Sequence, residues 1–166
     1  MTRHFRTLPR GSASTLVSTS LLAVSIWIAG PVEAGPDSVA VLLGSHHVGA
    51  TGFEEVNPGV FFNWHEAAFG GRVDLGFGAF RNSYGHGSVA VTAGLPLIRD
   101  EVWGLDLFSA LAWYPDDGDQ FEVSFGDIVP IVGIQARWRH VFVQAIPGGG
   151  GDVDATVTYG LVFPLE

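Results

Sequence analysis

Bulky apolar residues alternate with small or polar residues along most of the chain after residue 35. The pattern is clearest near the C-terminus, where alternate positions from Val153 to Phe163 are apolar and most positions between them are Asp, Thr or Gly. A period of two residues is typical of a β-strand with one apolar face. No stretch in this part has convincing helical periodicity, and no apolar run reaches the length of a transmembrane helix. The sequence therefore predicts an all-β domain.

Counting the alternating segments gives eight predicted strands. Their approximate ranges are 38–47, 57–65, 70–81, 86–96, 102–113, 128–137, 139–147 and 153–164. A soluble sandwich would bury the apolar face, whereas a membrane barrel would turn it towards lipid. Strand length, an inner face rich in Gly and Ala, and aromatic residues near the strand ends favour an eight-stranded antiparallel transmembrane β-barrel. The aromatic residues in question are Trp64, Trp103, Trp113, Tyr114 and Trp138.

The connections between the predicted strands differ in length in a regular way. The fifth connection, from Tyr114 to Asp127, is the longest. The second, fourth and sixth connections are short and lie around Glu66-Ala67, Arg99-Asp100 and Arg137-Trp138. If the mature chain starts in the periplasm, the long connection is extracellular and the short ones are periplasmic turns, as in outer-membrane barrels.

Both ends of the chain have features of an exported outer-membrane protein. Residues 1–34 combine a positive N-terminal region, an apolar stretch from Leu16 to Ala29 and small residues before the expected cleavage after Ala34, which is typical of a signal peptide. A membrane anchor is the alternative, but the apolar stretch is shorter than the about 20 residues that a span needs. The segment Thr158-x-Gly160-x-x-Phe163-x-Leu165 resembles the C-terminal signal read by the outer-membrane assembly machinery, although the chain continues to Glu166. We therefore expect a signal peptide at 1–34 and a barrel at 35–166, located in a Gram-negative outer membrane.

Composition excludes several function classes. The chain has no cysteine, and so has no disulfide framework, thiolate metal site or thiol nucleophile. Its net charge is −9, and no basic stripe is visible, which argues against nucleic-acid binding. We expect membrane lipids as partners and a monomeric protein.

The residues that could perform chemistry end two predicted strands. Ser45, His46 and His47 end the first strand, and Asn82 and Ser83 end the third. Both strands run outward in the predicted topology, so both groups are expected at the extracellular rim. Histidine is the usual base for a serine or substrate hydroxyl near neutral pH, and Asn82 could orient the imidazole. The alternative is a set of ordinary polar residues at a barrel mouth.

The long fifth connection also contains a cluster of acidic residues. These are Asp116, Asp117, Asp119 and Glu122. They form either a solvated acidic loop or a site for divalent cations that bridge lipopolysaccharide phosphates, since clustered carboxylates suit Ca²⁺ or Mg²⁺.

Several short segments occur in an order that matches a known family. They are His47, Phe53-Glu54-Glu55 with Asn57-Pro58-Gly59, Phe80-Arg81-Asn82-Ser83, Ile128 to Gly133 with Pro130, and Ile146-Pro147-Gly148. Over residues 45–163 they resemble the PagP family of outer-membrane lipid A palmitoyltransferases, which are eight-stranded barrels. Two departures are visible: the family's catalytic aspartate is Asn82 here, and the first strand begins without the family's N-terminal amphipathic helix.

The resemblance implies transfer of a fatty acyl chain from a phospholipid donor to a lipid A acceptor, without metal or soluble cofactor. It implies that His47 is the base, that Ser83 is its hydroxyl partner and that the acyl chain lies inside the barrel. Of the two adjacent histidines we prefer His47 to His46. The alternative function is a non-catalytic barrel for adhesion, stabilisation or apolar-ligand binding. A lipid A deacylase barrel also uses a His-Ser pair, but in a sequence context that differs from this one.

Overall fold

The computed structural model describes residues 35–150 and 153–165, without the side-chain environment of residues 149 and 150. The predicted signal peptide at 1–34 lies outside the described residues. Among the described residues, no helix is long and apolar enough to cross a membrane.

The described chain forms a closed barrel of eight antiparallel strands, in which each strand pairs with its sequence neighbours and β1 pairs with β8. The predicted fold class is therefore confirmed. The strands are β1 (Ser38–Val48), β2 (Gly59–Ala68), β3 (Val73–Arg81), β4 (Gly87–Arg99), β5 (Trp103–Trp113), β6 (Ile128–Trp138), β7 (Val141–Gly150) and β8 (Val153–Pro164). A short 3₁₀ helix, Gly118–Gln120, lies in the connection between β5 and β6.

The barrel has two distinct ends. We call the end that carries Ser38 and Pro164 the terminal end, because the described chain begins and finishes there. The opposite end, which carries Val48, Arg81 and Trp113, is the loop end. The long β5–β6 connection belongs to the loop end, as the sequence predicts.

The second connection was placed too early by the sequence pattern. The pattern predicts a turn around Glu66-Ala67, but β2 continues to Ala68. The turn follows at Phe69–Arg72, where Gly70 and Gly71 adopt left-handed backbone angles with φ of 69° and 82°. A β-bulge in β2 explains the difference, because the register against β3 shifts between Trp64 and Ala68. The extra residues of a bulge interrupt the alternation from which the strand was predicted.

The outside of the barrel is apolar. Large apolar side chains remain exposed on every strand, among them Phe77, Val91, Leu107, Leu111, Val132, Ile134 and Phe163. Soluble monomers expose apolar residues singly or in small patches, whereas here they cover every strand. Such a surface suits contact with lipid.

The inside of the barrel differs from the prediction of small or polar residues. Large rings also point inward, and three of them lie opposite a glycine on the neighbouring strand. The pairs are Phe61 with Gly78, Phe108 with Gly133, and Phe142 with Gly160. Each glycine leaves the space that the ring fills, which is how glycine and aromatic residues pair across strands. The glycine-rich inner face therefore accommodates rings as well as leaving open volume.

Replacing one of these glycines should destabilise the barrel. A Cβ at Gly133 would stand 2.5 Å from the Ala145 carbonyl oxygen and 2.7 Å from Phe108 Cε1. Gly133→Ala should therefore lower the free energy of unfolding by about 1–3 kcal/mol. Urea unfolding in lipid vesicles, followed by tryptophan fluorescence, measures the change. Gly87→Ala is the control, because nothing lies within 4 Å of a Cβ at that position. Equal losses for the two variants would contradict the packing argument.

The wall of the barrel is incompletely paired at the loop end. β6 and β7 pair only from Ile134 with Ala145 to Trp138 with Val141, so the loop-end half of β6 makes no ladder with β7. Pro130 lies in this unpaired half of β6, and Pro147 lies in β7 beyond the last pair. Proline has no N–H to donate, and for that reason it is found where a ladder is absent.

Candidate functional site

The predicted site residues meet at one cavity inside the loop end. His47 is the second-last residue of β1, and Asn82 and Ser83 follow directly after β3. All three line a cavity of about 280 Å³. The expectation from the topology, that the ends of the first and third strands converge, agrees with this placement.

His47 is buried, with 8% of its surface exposed. Its ring stacks on Phe53, with the ring centroids 4.4 Å apart and the planes at 19°. Its Nδ1 is buried and has no hydrogen-bond partner among the described residues. Buried polar atoms are nearly always paired, so an unpaired ring nitrogen beside a cavity is the mark of a place where a ligand or water binds.

His46 has a different environment. It is exposed, and its Nδ1 lies 2.7 Å from Glu55 Oε1. Since adjacent residues of a strand face opposite sides, only one of the two histidines can face the cavity. The structure places His47 there.

The β1–β2 connection folds back over the site. The Ser45 N–H donates to the Glu55 carbonyl at 2.9 Å, and the Glu54 N–H donates to the Ser83 carbonyl at 2.9 Å. The Ser45 hydroxyl donates to Asn57 Oδ1, and Arg81 forms an ion pair with Glu54 at 2.8 Å. These bonds fix Phe53 against His47 and link the β1–β2 connection to Ser83.

Asn82 does not make the contact that the sequence suggests. Its side chain is 1% exposed. Its Nδ2 donates to Ser88 Oγ at 3.1 Å and to Asp117 Oδ2 at 3.3 Å. Its Oδ1 accepts from the N–H groups of Tyr84 and His86 at 3.0 and 2.9 Å. These bonds use the full capacity of the amide. Asn82 therefore organises the β3–β4 turn, and the ring that holds His47 in place is Phe53.

The β5–β6 connection is held over the cavity by two sets of contacts that the sequence did not reveal. Asp117 Oδ2 accepts from His86 Nδ1 at 2.7 Å. A chain of edge-to-face rings runs from Phe53 through Tyr84 and Phe121 to Tyr114. Tyr114, expected in an aromatic girdle, instead lines the cavity. Burial raises the pKa of Tyr114, so its phenol stays neutral. Neither the His86–Asp117 bond nor the chain of rings could be recognised from a local sequence pattern, because each joins residues that are far apart in the chain.

The ion pair between His86 and Asp117 predicts a pH-dependent loop. The hydrogen bond to Asp117, followed by the charge of that carboxylate, raises the pKa of His86. A raised histidine pKa gives stabilisation that is complete below the unfolded value of about 6.5 and is lost as the pH rises through the folded value. Cleavage of the 114–127 connection by proteinase K should therefore accelerate from pH 6 to 9, after normalisation to an unstructured peptide. His86→Gln should remove this pH dependence; an equally pH-dependent variant would contradict the assignment.

The site adjoins the interior of the barrel. A second cavity, of about 640 Å³, occupies the lumen. Residues that line both cavities are Leu42, Phe80, Tyr114, Ile131, Ile146 and Thr158. The wall of this cavity is mostly apolar, and Phe108 and Phe142 contribute to it. A band of four polar side chains also crosses the wall, where Thr158, Gln144, Gln135 and Asp106 are joined by successive hydrogen bonds.

Within the part of the chain that the structure describes, no group of three or more His, Cys, Asp or Glu side chains is placed to hold a metal ion. Of the acidic cluster in the β5–β6 connection, Asp117 points inward to His86 and Asn82.

Comparison with known proteins gives no assignment by similarity. No protein-family model matches the chain. No curated protein matches it either. The closed eight-stranded antiparallel barrel is consistent with a PagP-like fold.

Proposed function

We propose that this protein is an outer-membrane acyltransferase of the PagP type, which moves a fatty acyl chain from a phospholipid to lipid A or a related lipid. The observation that carries the proposal is the buried His47 imidazole at the mouth of the barrel. Its Nδ1 has no hydrogen-bond partner among the residues that the structure describes, and the ring lines the same cavity as Ser83. A base in this position would act on a hydroxyl group brought into the cavity.

The proposed reaction is a transesterification, in which the acyl chain passes from the donor ester to the acceptor hydroxyl. His47 takes the proton of the acceptor hydroxyl, whose oxygen attacks the carbonyl carbon of the donor ester. The bond between that carbon and the donor oxygen breaks, and His47 returns the proton to the departing alcohol. The Ser83 hydroxyl, which lines the same cavity, would hydrogen-bond the reacting oxygens. Every proton is accounted for without a metal or soluble cofactor.

The interior of the barrel suits the acyl chain. Both cavities share apolar residues such as Leu42 and Ile131, so a chain whose ester lies beside His47 would extend into the lumen. Burial of each methylene in such a space contributes about 0.8 kcal/mol. This preference for long apolar chains favours a lipid substrate over a water-soluble ester.

The unpaired wall between β6 and β7 offers an entry route. A lipid tail cannot pass through the polar loops, but it could enter sideways between Ile128–Gly133 and the facing part of β7. Pro130 and Pro147 keep this part of the wall from forming a ladder. Lateral entry requires that the loop-end half of the wall lies in a lipid layer, which the exposed apolar side chains support.

The location and partners follow from the same proposal. The N-terminal segment would direct export, and the outer-membrane assembly machinery would insert the barrel with its loop end outward. The phospholipid donor and the lipid A acceptor would both reach the site from the outer leaflet. Closure of the barrel pairs β1 with β8 and leaves no strand wholly unpaired at a sheet edge, so the protein would act as a monomer.

Mass spectrometry of lipid A tests the proposal. Gram-negative cells that lack an acyltransferase of this kind are transformed with the gene or with an empty vector. The wild type should add the mass of one acyl chain to lipid A, and Ser83→Ala should lose most of that gain. Ser109→Ala is the control, because Ser109 lies in β5 and does not line the loop-end cavity. Lipid A of unchanged mass, with folded protein present in the outer membrane, would overturn the proposal.

The lumen favours a second candidate, a barrel that binds an apolar ligand without reaction. The cavity of about 640 Å³ is large enough for a small apolar molecule. In that case lipid A would keep its mass while the purified barrel retained a fatty acid or similar ligand.

A further inference from the structure

The terminal end of the barrel holds a second cluster of reactive side chains. Ser38 Oγ lies 3.4 Å from His65 Nε2, and His65 Nδ1 lies 3.0 Å from Asp74 Oδ2. The three residues come from β1, β2 and β3, at the end of the barrel opposite His47. All three line the lumen cavity, and Ser38 is buried with 3% of its surface exposed.

The hydrogen bond to Asp74 defines the tautomer of the neutral His65 ring. A carboxylate can only accept, so His65 Nδ1 carries the proton that it shares with Asp74. In this tautomer the lone pair of Nε2 faces the Ser38 hydroxyl, which is the arrangement in which an imidazole removes a serine proton. A distance of 3.4 Å is longer than a tight hydrogen bond, but catalytic hydrogen bonds are often long before substrate binds.

The local backbone conformation orients His65 and Asp74. His65 lies in the β2 bulge, where the register against β3 is interrupted, and a bulge can turn a side chain out of the regular alternation. The His65 N–H donates to Asp37 Oδ2 at 2.6 Å. Asp74 Oδ1 accepts from the Glu66 N–H at 2.8 Å, and Arg99 forms an ion pair with Asp74 Oδ2. Asp74 is therefore fixed from two sides while it holds His65.

An amide donor lies beside the serine. Asn63 is the register partner of Ser38, and its Nδ2 lies 3.4 Å from Ser38 Oγ. Gly76, the partner of Asn63 on β3, leaves room for this side chain, because a Cβ there would stand 2.7 Å from Asn63 Oδ1. A donor so close to the nucleophile could stabilise the negative oxygen of a tetrahedral intermediate.

We propose that Ser38, His65 and Asp74 form a Ser-His-Asp site that hydrolyses esters with an apolar acyl group, entering from the terminal end. The acyl class follows from the lumen above the serine, where Ala40, Leu42 and Phe61 form an apolar wall. Ser38 Oγ attacks the ester carbon as His65 Nε2 takes its proton, and the alcohol leaves with that proton. Water, deprotonated by His65, then releases the acid and restores Ser38. Ester and water are thus converted to acid and alcohol.

Covalent labelling tests this site directly. The whole protein, folded in detergent, is treated with a fluorophosphonate, from which an activated serine displaces fluoride. Peptide mass spectrometry should place the adduct on Ser38, and the same protein should hydrolyse p-nitrophenyl butyrate. An adduct elsewhere, or no adduct on protein whose heat-modifiable gel mobility shows that it is folded, would overturn the proposal.

Variants separate catalysis from structure. Ser38→Ala should lose the adduct, and His65→Gln should slow labelling and hydrolysis by about 100-fold or more. Asp74→Asn should lower kcat and leave KM unchanged, because Asp74 positions His65 and does not touch the ester. Ser45→Ala, which removes another buried serine of β1, should label like the wild type. Losses in Ser45→Ala as large as in Ser38→Ala would mean a general effect on folding.

The terminal-end site is independent of the proposed acyl transfer. His47→Gln should leave labelling of Ser38 intact, and Ser38→Ala should leave any mass gain of lipid A intact. Loss of both activities in either variant would refute the assignment of two separate sites.

Discussion

Asn82→Asp is expected to destabilise the loop end of the barrel and to leave the proposed acyl transfer no faster. The substitution introduces the aspartate that the resemblance to the PagP family implies at this position, and sequence reasoning alone would predict a better-oriented His47 and faster acyl transfer. The structure leads to the opposite expectation. Asn82 Nδ2 donates to Asp117 Oδ2 at 3.3 Å, and a carboxylate in its place would set two negative charges against each other.

The size of the destabilisation follows from the short distance between residues 82 and 117 and from the burial of both side chains. Two like charges about 4 Å apart repel by about 4 kcal/mol at an effective dielectric constant of about 20. The introduced carboxyl can avoid this repulsion by binding a proton. The free energy that protonation costs decreases as the pH falls. We therefore expect a loss of about 2–4 kcal/mol in the free energy of unfolding at pH 7, recovered progressively as the pH falls from about 7 to about 4. Urea unfolding at the two ends of this pH range, with the proposed acyl transfer measured in parallel, checks the prediction.

A double variant provides the control. Asn82→Asp combined with Asp117→Asn exchanges the amide and the carboxylate, so that one donor and one acceptor face each other again. It should recover part of the stability that Asn82→Asp loses, because the ion pair between Asp117 and His86 is lost in the exchange. With Asp117→Asn measured alone, the departure of the double variant from the sum of the two single variants gives the coupling between the two positions. A single variant that is as stable as the wild type and transfers acyl chains faster would mean that residue 82 acts on His47 after all.

The strands could be predicted from the sequence because the fold depends on a repeated local pattern. Alternation with a period of two identifies each of the eight strands, and the apolar face that it defines is the exposed outer surface. The boundaries failed where the backbone departs from alternation, as in the β2 bulge around His65 and Glu66. The inward rings of Phe61, Phe108 and Phe142 were also missed, since each needs a glycine on another strand.

The candidate site was predictable only as far as topology determines it. Strand counting places His47 and Ser83 at the same end of the barrel, and they share a cavity. The hydrogen bonds of Asn82 depend on the conformations of two connections, and no sequence pattern encodes these. The Ser38, His65 and Asp74 cluster was missed for a related reason: His65 fell beside a predicted turn, whereas the bulge keeps it within β2, near Ser38 and Asp74.

His47→Gln is expected to slow acyl transfer by about 10²–10⁴-fold, if the proposed function holds. A positioned general base contributes a factor of this size, and glutamine cannot accept a proton at neutral pH. Glutamine is close to histidine in size and has no charge, so the packing against Phe53 should change little. Initial rates of acyl transfer from a labelled phospholipid to lipid A in detergent micelles measure the effect.

The neighbouring histidine is the matched control for this prediction. His46→Gln removes the same imidazole one residue away, but His46 is exposed and bonds only to Glu55 among the described side chains. It should leave the rate unchanged, because a base that faces away from the cavity cannot reach the ester. Equal losses for both histidines would indicate a general disturbance of the β1 end. A silent His47→Gln with an active wild type would remove the imidazole from the reaction and leave the lumen as a binding site whose chemistry lies elsewhere.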